Sequence, residues 1–261
     1  MVVEIENVGG VRVITFQRPE VLNAFNDELG LAVLHAVEEA SADESVRCIV
    51  LTGSGRAFSS GEDLAALAGV YLSGQPPTLG DPLTTRYNPL VRAIVHAPKP
   101  VVAAINGVAA GAGSSVAFAC DFRIAVDSAK FVLAFVKVGL VPDSGGLWFL
   151  SRMVGTARAW RLAASGAPLS ATEAMDLGIL DACVPAEGFG SAWMEFATML
   201  AEGPTQAFAE MKKLMYSASS ATIDEQLDRE VGAQATAGAT EDHLEGVQAF
   251  LEKRQPNFKG R

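Results

Sequence analysis

Cysteine is scarce in this chain of 261 residues, and its three copies lie far apart. Cys48, Cys120 and Cys183 are odd in number, and each stands in apolar sequence. Disulfide-stabilised secreted domains and cysteine-rich metal sites need more cysteines at closer spacing. The sequence therefore predicts reduced thiols in the core, no metal site and a cytoplasmic protein.

Long hydrophobic runs are also missing. No apolar run approaches the roughly 20 residues that a membrane-spanning helix needs. The N-terminus does not show the basic region followed by an apolar block that marks a secretory signal. We therefore expect neither membrane insertion nor export.

Basic residues are in deficit, with 20 Lys and Arg against 30 Asp and Glu, a net charge of −10. No cluster of Lys and Arg offsets this balance, so nucleic acid and anionic membrane surfaces are not expected partners. The sequence also lacks the G-x-S-x-G elbow of serine hydrolases. Gly107, Gly111 and Gly113 have the wrong spacing for a dinucleotide fingerprint.

What the chain does contain is most informative between residues 101 and 115, VVAAINGVAAGAGSS. Five apolar residues before Asn106-Gly107 predict a buried strand that ends in a turn. Beyond the turn, Gly111, Ala112 and Gly113 have almost no side chain, so a ligand or another backbone can approach their N–H groups. The following residues favour a helix, whose N-terminus would stabilise developing negative charge. The alternative is a close crossing of helix and strand without a ligand.

Strands and helices alternate before this segment. We predict a hairpin from residues 2–6 and 11–16, a helix over 27–40 capped by Asn26, and a buried strand over 48–52. The loop GSGRAFSSG at 53–61 is a second turn with exposed amides, and a short helix is expected over 63–68. Strand, helix and strand in this order predict a parallel crossover.

Dense turn-forming residues from Ser73 to Pro82 predict a mobile surface loop, and a helix is expected from Thr84 to Val95. Short strands are predicted over 122–125 and 131–133, followed by a tight loop that ends at Gly146.

The remainder is predicted to be almost wholly helical. Ser170 with Glu173, and Thr222 with Glu225, each fit a capping box at a helix start. Strands first and helices last predict an α/β fold with a core over residues 1–200 and a helical C-terminal region over 201–261.

Four separated segments resemble the crotonase, or enoyl-CoA hydratase/isomerase, family along essentially the whole chain. They are AFSSGEDL at 57–64, KPVVAAINGVAAGAGSSVAFACDFRIA at 99–125, AKFVLAFVKVGLVPDSGG at 129–146 and the terminal EGVQAFLEKRQPNFKGR. Within the family, YNPLVRAIVHAPKP at 87–100, VPDSGG and AFLEKRQPNFKGR are most similar to the phenylacetate-pathway isomerases that act on a ring-epoxide acyl-CoA. The resemblance implies a spiral of ββα turns, with a helical C-terminal region that builds a homotrimer or a dimer of trimers.

The resemblance also implies an oxyanion hole made of two backbone N–H groups. The matching positions are Glu62, after Gly61, and Ala112, between Gly111 and Gly113. Two fixed donors stabilise the oxygen of a thioester enolate without reorganisation. The implied ligand is a coenzyme A thioester, bound as substrate, with no separate cofactor. The Glu62 carboxylate must point away from that oxygen.

Two positions depart from the hydratases of the family. The glutamates that activate water there correspond to Ser115 and Phe135, neither of which is a general base at neutral pH. The isomerase pattern instead has a carboxylate at Asp143, whose pKa would rise in an apolar cleft. From the residues alone, the alternative is that Asp143 caps the helix that starts near Gly145.

Coenzyme A carries several phosphate charges, so an acidic protein needs local cations to bind it. The resemblance implies that Phe250 and Lys253 reach the nucleotide held by a neighbouring subunit. The alternative is that Phe250 packs with Val247 and Leu251 while Lys253 is solvated.

The predicted function is acyl-CoA isomerisation, with Asp143 as the group that moves the proton. The alternatives are a hydratase or other crotonase reaction on an acyl-CoA, and a noncatalytic protein that binds coenzyme A or RNA. The net charge of −10 argues against RNA.

Overall fold

The computed structural model describes residues 1–74 and 77–261, which form two sheets with helices packed around them. The larger sheet has six strands in the order β1-β2-β3-β5-β7-β10. Its strands are Val3–Val8, Val11–Phe16, Cys48–Gly53, Val101–Ile105, Phe122–Val126 and Ala182–Val184. The predicted hairpin of β1 and β2 is antiparallel, and β2, β3, β5, β7 and β10 pair in parallel, which confirms the crossover.

The smaller sheet has four strands in the order β4-β6-β8-β9, and its first three strands pair in parallel. They are Ala57–Ser59, Val108–Ala110, Lys130–Val132 and Leu169–Ser170. The chain therefore gives one strand to each sheet in turn, β3 with β4, β5 with β6, and β7 with β8, and passes into helices after each pair. This repeated ββα unit is the predicted spiral, and the α/β fold is confirmed.

Within the described ranges, twelve helices surround the sheets. They are Asp27–Ala42 (α1), Ala68–Leu72 (α2), Gly80–Pro82 (α3), Asn88–His96 (α4), Ala112–Ala119 (α5), Gly146–Val154 (α6), Thr156–Ser165 (α7), Ala171–Asp176 (α8), Ala186–Ala201 (α9), Thr205–Ala218 (α10), Ile223–Gly238 (α11) and Glu241–Glu252 (α12). Short 3-10 helices lie at Pro19–Val21 and Ala134–Val138. Asn26 caps α1, and both capping boxes are present.

Two predicted helix boundaries are wrong. The predicted helix over 63–68 is a run of turns, because its backbone bonds link residues three apart, such as Leu67 N–H to the Leu64 carbonyl at 3.2 Å, and α2 begins only at Ala68. The helix expected from Thr84 begins at Gly80, continues through a π-helical turn at Leu83–Tyr87 and joins α4. Proline is tolerated in the first turn of a helix, so Pro82 does not delay its start.

The predicted mobile loop over 73–82 is therefore wrong for residues 80–82, and part of it lies outside the described residues. The C-terminal half also departs from an all-helical course, because β9 and β10 each extend a sheet.

The core lies between the two sheets and α1, α4 and α5. Phe16 packs edge-on against Phe25 and Phe58, with ring centroids 5.4 and 5.2 Å apart. All eight residues of α5 are buried, so both ends of this helix are fixed by the surrounding protein. The N-terminus of α5 thereby meets the turn that follows β4.

Candidate active site

Two turns of small residues meet at the edge of the smaller sheet. Gly61 follows β4 with a φ of 90°, and Ala112 begins α5. A Cβ atom on Gly61 would lie 2.7 Å from the carbonyl oxygen of Ala110 and 3.2 Å from the nitrogen of Ala112. Only a residue without a side chain permits this approach, so the close packing of the two backbones depends on Gly61.

Two N–H groups are left free at this junction. Among the described residues, neither Glu62 N–H nor Ala112 N–H donates a hydrogen bond, while Gly61 N–H donates to Ser59 Oγ and Asp63 N–H to the carbonyl of Phe25. The Ala112 N–H also stands at the first turn of α5, where the helix dipole adds positive potential. The pair is suited to a single oxygen atom that carries negative charge.

Gly113, the second residue of α5, packs against β4 at the same junction. A Cβ atom there would lie 2.6 Å from the backbone oxygen of Ser59. One turn further along α5, Ser115 is fully buried, and its Oγ has no hydrogen-bond partner among the described residues. Ser115 faces the loop before α6, because a Cβ on Gly146 would come within 2.5 Å of its Oγ.

Phe135 covers this region from the 3-10 helix Ala134–Val138. Its side chain is 8% exposed, and its ring edge would lie 3.9 Å from a Cβ on Gly111. The two positions that correspond to hydratase glutamates are thus a buried hydroxyl and an apolar wall. Neither supplies a carboxylate.

Asp143 lies in the loop between that 3-10 helix and α6. Its Oδ1 accepts a hydrogen bond of 2.9 Å from Ser144 Oγ, and its backbone oxygen accepts from Gly146 N–H at 2.8 Å. Ser144 has a φ of 53° and Gly145 a φ of 75°. Because a buried serine rarely adopts the left-handed region, this loop holds strain that is common at functional sites.

The alternative role of Asp143 as a helix cap is not what the structure shows. Helix α6 begins at Gly146 with Gly145 as its N-cap residue, and no side chain makes the capping hydrogen bond. The Asp143 carboxylate is therefore not used to satisfy the N-terminal amides of α6.

Burial raises the pKa of the Asp143 carboxyl above its ordinary value. The hydrogen bond from Ser144 opposes this shift, the negative charge of Glu62 adds to it, and the positive charge of Arg86 opposes it. A partly buried carboxylate with a raised pKa is a stronger base than an exposed aspartate, as proton transfer from carbon requires.

The Glu62 side chain is held away from the free N–H groups by two donors. Arg86 Nη2 and the Tyr87 hydroxyl each donate to Glu62 Oε2 at 2.6 Å. Arg86 Nη1 also bonds Asp27 Oδ1 at 3.0 Å, and its guanidinium lies 4.6 Å from the centre of the Tyr87 ring. Burial and the adjacent Glu62 raise the pKa of Tyr87, which therefore stays protonated as a donor.

The sequence reasoning missed Arg86, which is only 2% exposed and is among the largest fully buried side chains of the chain. Two structural features bring it to the site. Gly30 interrupts the apolar face of α1, and a methyl group there would overlap the Arg86 side chain. The π-helical turn places Arg86 and Tyr87, which are consecutive, on the same carboxylate, as such turns often do at functional sites.

Phe250 and Lys253 are not brought to this site within one chain. Phe250 is 80% exposed on α12, and Lys253 is the exposed residue that ends that helix with a φ of 56°. Trp148 lies on α6 and stacks on Tyr216 of α10. It lines a separate cavity of about 770 Å³ between α6 and α10.

Within residues 1–74 and 77–261, no group of three or more His, Cys, Asp and Glu side chains is placed to hold a metal ion. No helix in the same part of the chain is long and apolar enough to cross a membrane. The three cysteines are free thiols, and burial raises the pKa of each.

Comparison with known proteins agrees with this geometry. Residues 6–261 match the family described as enoyl-CoA hydratase/isomerase. A crystal structure of an enoyl-CoA hydratase from Bacillus anthracis superposes with a TM-score of 0.93 at 29% identity, covering all of both chains.

Two curated relatives have similar identity but different names. The 1,2-epoxyphenylacetyl-CoA isomerase of Escherichia coli is 44% identical over 252 residues, which cover 97% of this chain and 96% of that protein. A protein of Rhodobacter capsulatus named "Probable enoyl-CoA hydratase" is 45% identical over 97% of this chain and 95% of its own length. Identity alone does not separate isomerase from hydratase.

Proposed function

The chain belongs to the enoyl-CoA hydratase/isomerase family, and we propose that within it this protein is an acyl-CoA isomerase. The observation that carries the proposal is the half-buried Asp143 carboxylate, which makes no capping bond to α6, at a site with two free backbone N–H groups. The two positions that match the hydratase glutamates carry Ser115 and Phe135 instead of carboxylates.

The proposed reaction needs one oxygen-binding site and one proton carrier. The N–H groups of Glu62 and Ala112 hold the thioester oxygen. Asp143 removes a proton from the carbon next to the thioester carbonyl, and the electron pair moves into the enolate. Asp143 then returns the proton to the carbon two positions further along, so the double bond moves and one carboxyl acts as base and then as acid.

Hydration is disfavoured by the residues at the two departing positions. Water addition needs groups that orient and deprotonate a water molecule, but Ser115 is a buried hydroxyl and Phe135 an aromatic side chain. A hydratase would have to use Asp143 for that purpose. Ring-derived acyl groups are the proposed substrates, supported by the similarity to 1,2-epoxyphenylacetyl-CoA isomerase and by Phe135 beside Gly111.

In this proposal the coenzyme A thioester is the substrate, and no separate cofactor takes part. Phe250 and Lys253 bind the nucleotide of a neighbouring subunit in a homotrimer or a dimer of trimers, a role supported by their exposure on α12. The division into a core over 1–200 and a helical region over 201–261 belongs to the same proposal. So does a cytoplasmic location, which the free thiols support.

The test compares two reactions of the purified protein. We expect a 3-enoyl-CoA to be converted to its 2-enoyl isomer much faster than crotonyl-CoA is hydrated, and in deuterated water the isomerised product should carry deuterium. A screen with phenylacetyl-derived and epoxide acyl-CoA substrates would identify the acyl group. Faster hydration than isomerisation would reject the isomerase proposal in favour of a hydratase, and no turnover of any acyl-CoA would favour a noncatalytic binding protein.

A further inference from the structure

A second carboxylate lies near the proposed base, and it is paired with a buried cation. Glu62 contributes its N–H to the proposed oxygen site, while its carboxylate accepts from Arg86 and Tyr87 at 2.6 Å each. The loop that carries Asp143 packs against α5, because a Cβ on Gly146 would lie 2.5 Å from Ser115 Oγ. The first residue of the same helix, Ala112, meets Gly61, the neighbour of Glu62. At this junction the charges of Glu62 and Arg86 act on Asp143. The site therefore holds two negative groups and one positive group.

This arrangement has a structural cost. Arg86 is 2% exposed, and its Nε has no partner among the described residues, so the guanidinium is not fully compensated for the loss of water. Room for it depends on Gly30 within α1, and a glycine inside a helix weakens that helix relative to alanine. Apolar side chains at these positions would fill the same space without burying a charge.

The cost is understandable if the charge is needed at the site. Without Arg86, the Glu62 carboxylate would face both Asp143 and the oxygen that becomes negative during turnover. With Arg86 and Tyr87 bound to it, that carboxylate is neutralised and turned away. Arg86 also pairs with Asp27, whose side chain is 87% exposed, so water largely screens the charge of that carboxylate.

Resting on the proposed function, we propose that Glu62, Arg86 and Tyr87 are positioning residues that set the charge around Asp143. The negative charge of Glu62 favours the protonated form of Asp143, and the positive charge of Arg86 opposes this effect. Arg86 also keeps the Glu62 carboxylate away from the enolate oxygen. Among the described residues, the hydroxyls of Tyr87 and Ser144 also act on Asp143, and neither is charged in the range of the assay.

Because Glu62 and Arg86 carry opposite charges, removing each one should shift the pKa of Asp143 in the opposite direction. Glu62→Gln keeps an oxygen that accepts from Arg86 and Tyr87 but removes the negative charge, so the pKa of Asp143 should fall. Arg86→Met removes the positive charge, so that pKa should rise. A role in packing alone would change stability and rate in both variants without moving the pH dependence in opposite directions.

The experiment measures kcat/KM for the isomerisation against pH, since the acid limb of this profile reports the free enzyme's base. Relative to wild type, the limb of Glu62→Gln is expected to move to lower pH by about half a unit or more, and that of Arg86→Met to higher pH by a similar amount. Arg86→Lys, which keeps the charge, should return the limb toward the wild-type position. Phosphate groups of the substrate titrate alike in all assays and cancel from the comparison.

Thermal unfolding of each variant accompanies the profiles. If Arg86→Met does not fold, Glu62→Gln decides alone, because it retains both hydrogen bonds. A Glu62→Gln limb that coincides with wild type, or moves to higher pH, overturns the inference. The Asp143→Asn variant distinguishes failure of the proposed function from failure of this inference. If Asp143→Asn retains near wild-type turnover, Asp143 is not the base and the proposed function fails. If Asp143→Asn is inactive but the acid limb of Glu62→Gln does not move, only the present inference fails.

Discussion

The proposed active site and the C-terminal helical region are built in contrasting ways. At the site, Gly61 and Gly113 are buried and packed against backbone of another turn, and Ser115 is buried beside Gly146, so these positions have almost no room for change. On α10 to α12, large apolar side chains are left open in the single chain. They include Met215 at 76% exposed, Val231 at 70%, Leu251 at 74% and Phe250 at 80%.

A single chain forms the proposed oxygen site by itself but leaves the apolar surface of its C-terminal helices uncovered. The oxygen site needs only two turns of the same chain in contact, and the spiral of ββα units provides that contact. The helical region presents an apolar surface that one chain does not cover, as expected of a surface that meets another protein chain. Catalytic groups should therefore be sensitive to small substitutions, and helical positions tolerant of them unless they touch the ligand.

The largest expected effect is that of Asp143→Asn. Turnover should fall by roughly 10² to 10⁴, as for loss of a general base, while binding of an acyl-CoA persists through the N–H groups of Glu62 and Ala112. Exchange of the acidic carbon-bound hydrogen with deuterated water should be lost as well. Initial rates, a binding titration and exchange followed by mass spectrometry measure the three quantities.

Stability gives an independent check on the same variant. Because burial raises the pKa of Asp143, the group stabilises the fold most when protonated, and that contribution is lost as pH rises through the folded-state pKa. At neutral pH, Asp143→Asn should thus unfold at the wild-type temperature or slightly higher. Asp127→Asn, at an exposed turn, is the matched control and should retain full turnover. A near wild-type rate for Asp143→Asn would mean that the base lies elsewhere.

A matched pair of glycine substitutions compares the two regions directly. In Gly113→Ala the new Cβ would lie 2.6 Å from the Ser59 backbone oxygen, which cannot move without displacing the turn. We expect a loss of about 1–3 kcal/mol in the free energy of unfolding, together with lower turnover. In Gly232→Ala nothing lies within 4 Å, and alanine should stabilise α11 by about 0.5–1 kcal/mol with unchanged turnover.

Chemical denaturation and initial rates on both proteins test this comparison. Equal effects of the two substitutions would contradict it, because the contrast in packing predicts changes of opposite sign. A stable Gly113→Ala protein with full activity would show that the Ala112 N–H does not need its present position.

Much of the fold could be predicted because the signals were local. Asn26, the capping boxes and Asn106-Gly107 act over a few residues, so helix starts and the central turn were found from sequence. The course from Asp63 to Tyr87 was less predictable, because it depends on distant partners. Asp63 is held by Arg18, and Arg86 enters a space that Gly30 leaves open, and neither pairing has a local signature.

The same distinction applies to the site. The two small-residue turns were visible as patterns, but family resemblance was needed to bring them together and to favour Asp143 as a base over a cap. The structure then placed the turns in contact and left Asp143 without a capping bond. The network around Glu62 could not be predicted, because which way that side chain turns is decided by Arg86 and Tyr87 on a π-helical turn.

The smallest expected effect concerns Lys253, at the end of α12. If its ammonium group contacts a phosphate of the ligand, Lys253→Ala should raise KM for the acyl-CoA by about 2- to 5-fold with unchanged kcat, since an exposed ion pair contributes about 0.2–1 kcal/mol. The effect should shrink as salt is raised, because exposed charges are screened. Lys213→Ala is the control, since Lys213 is an exposed lysine of α10 that pairs with Glu210 at 2.6 Å. A KM for Lys253→Ala equal to that of the control at low salt would assign Lys253 to solvent, and the helical region would then contribute no cation of its own from this position.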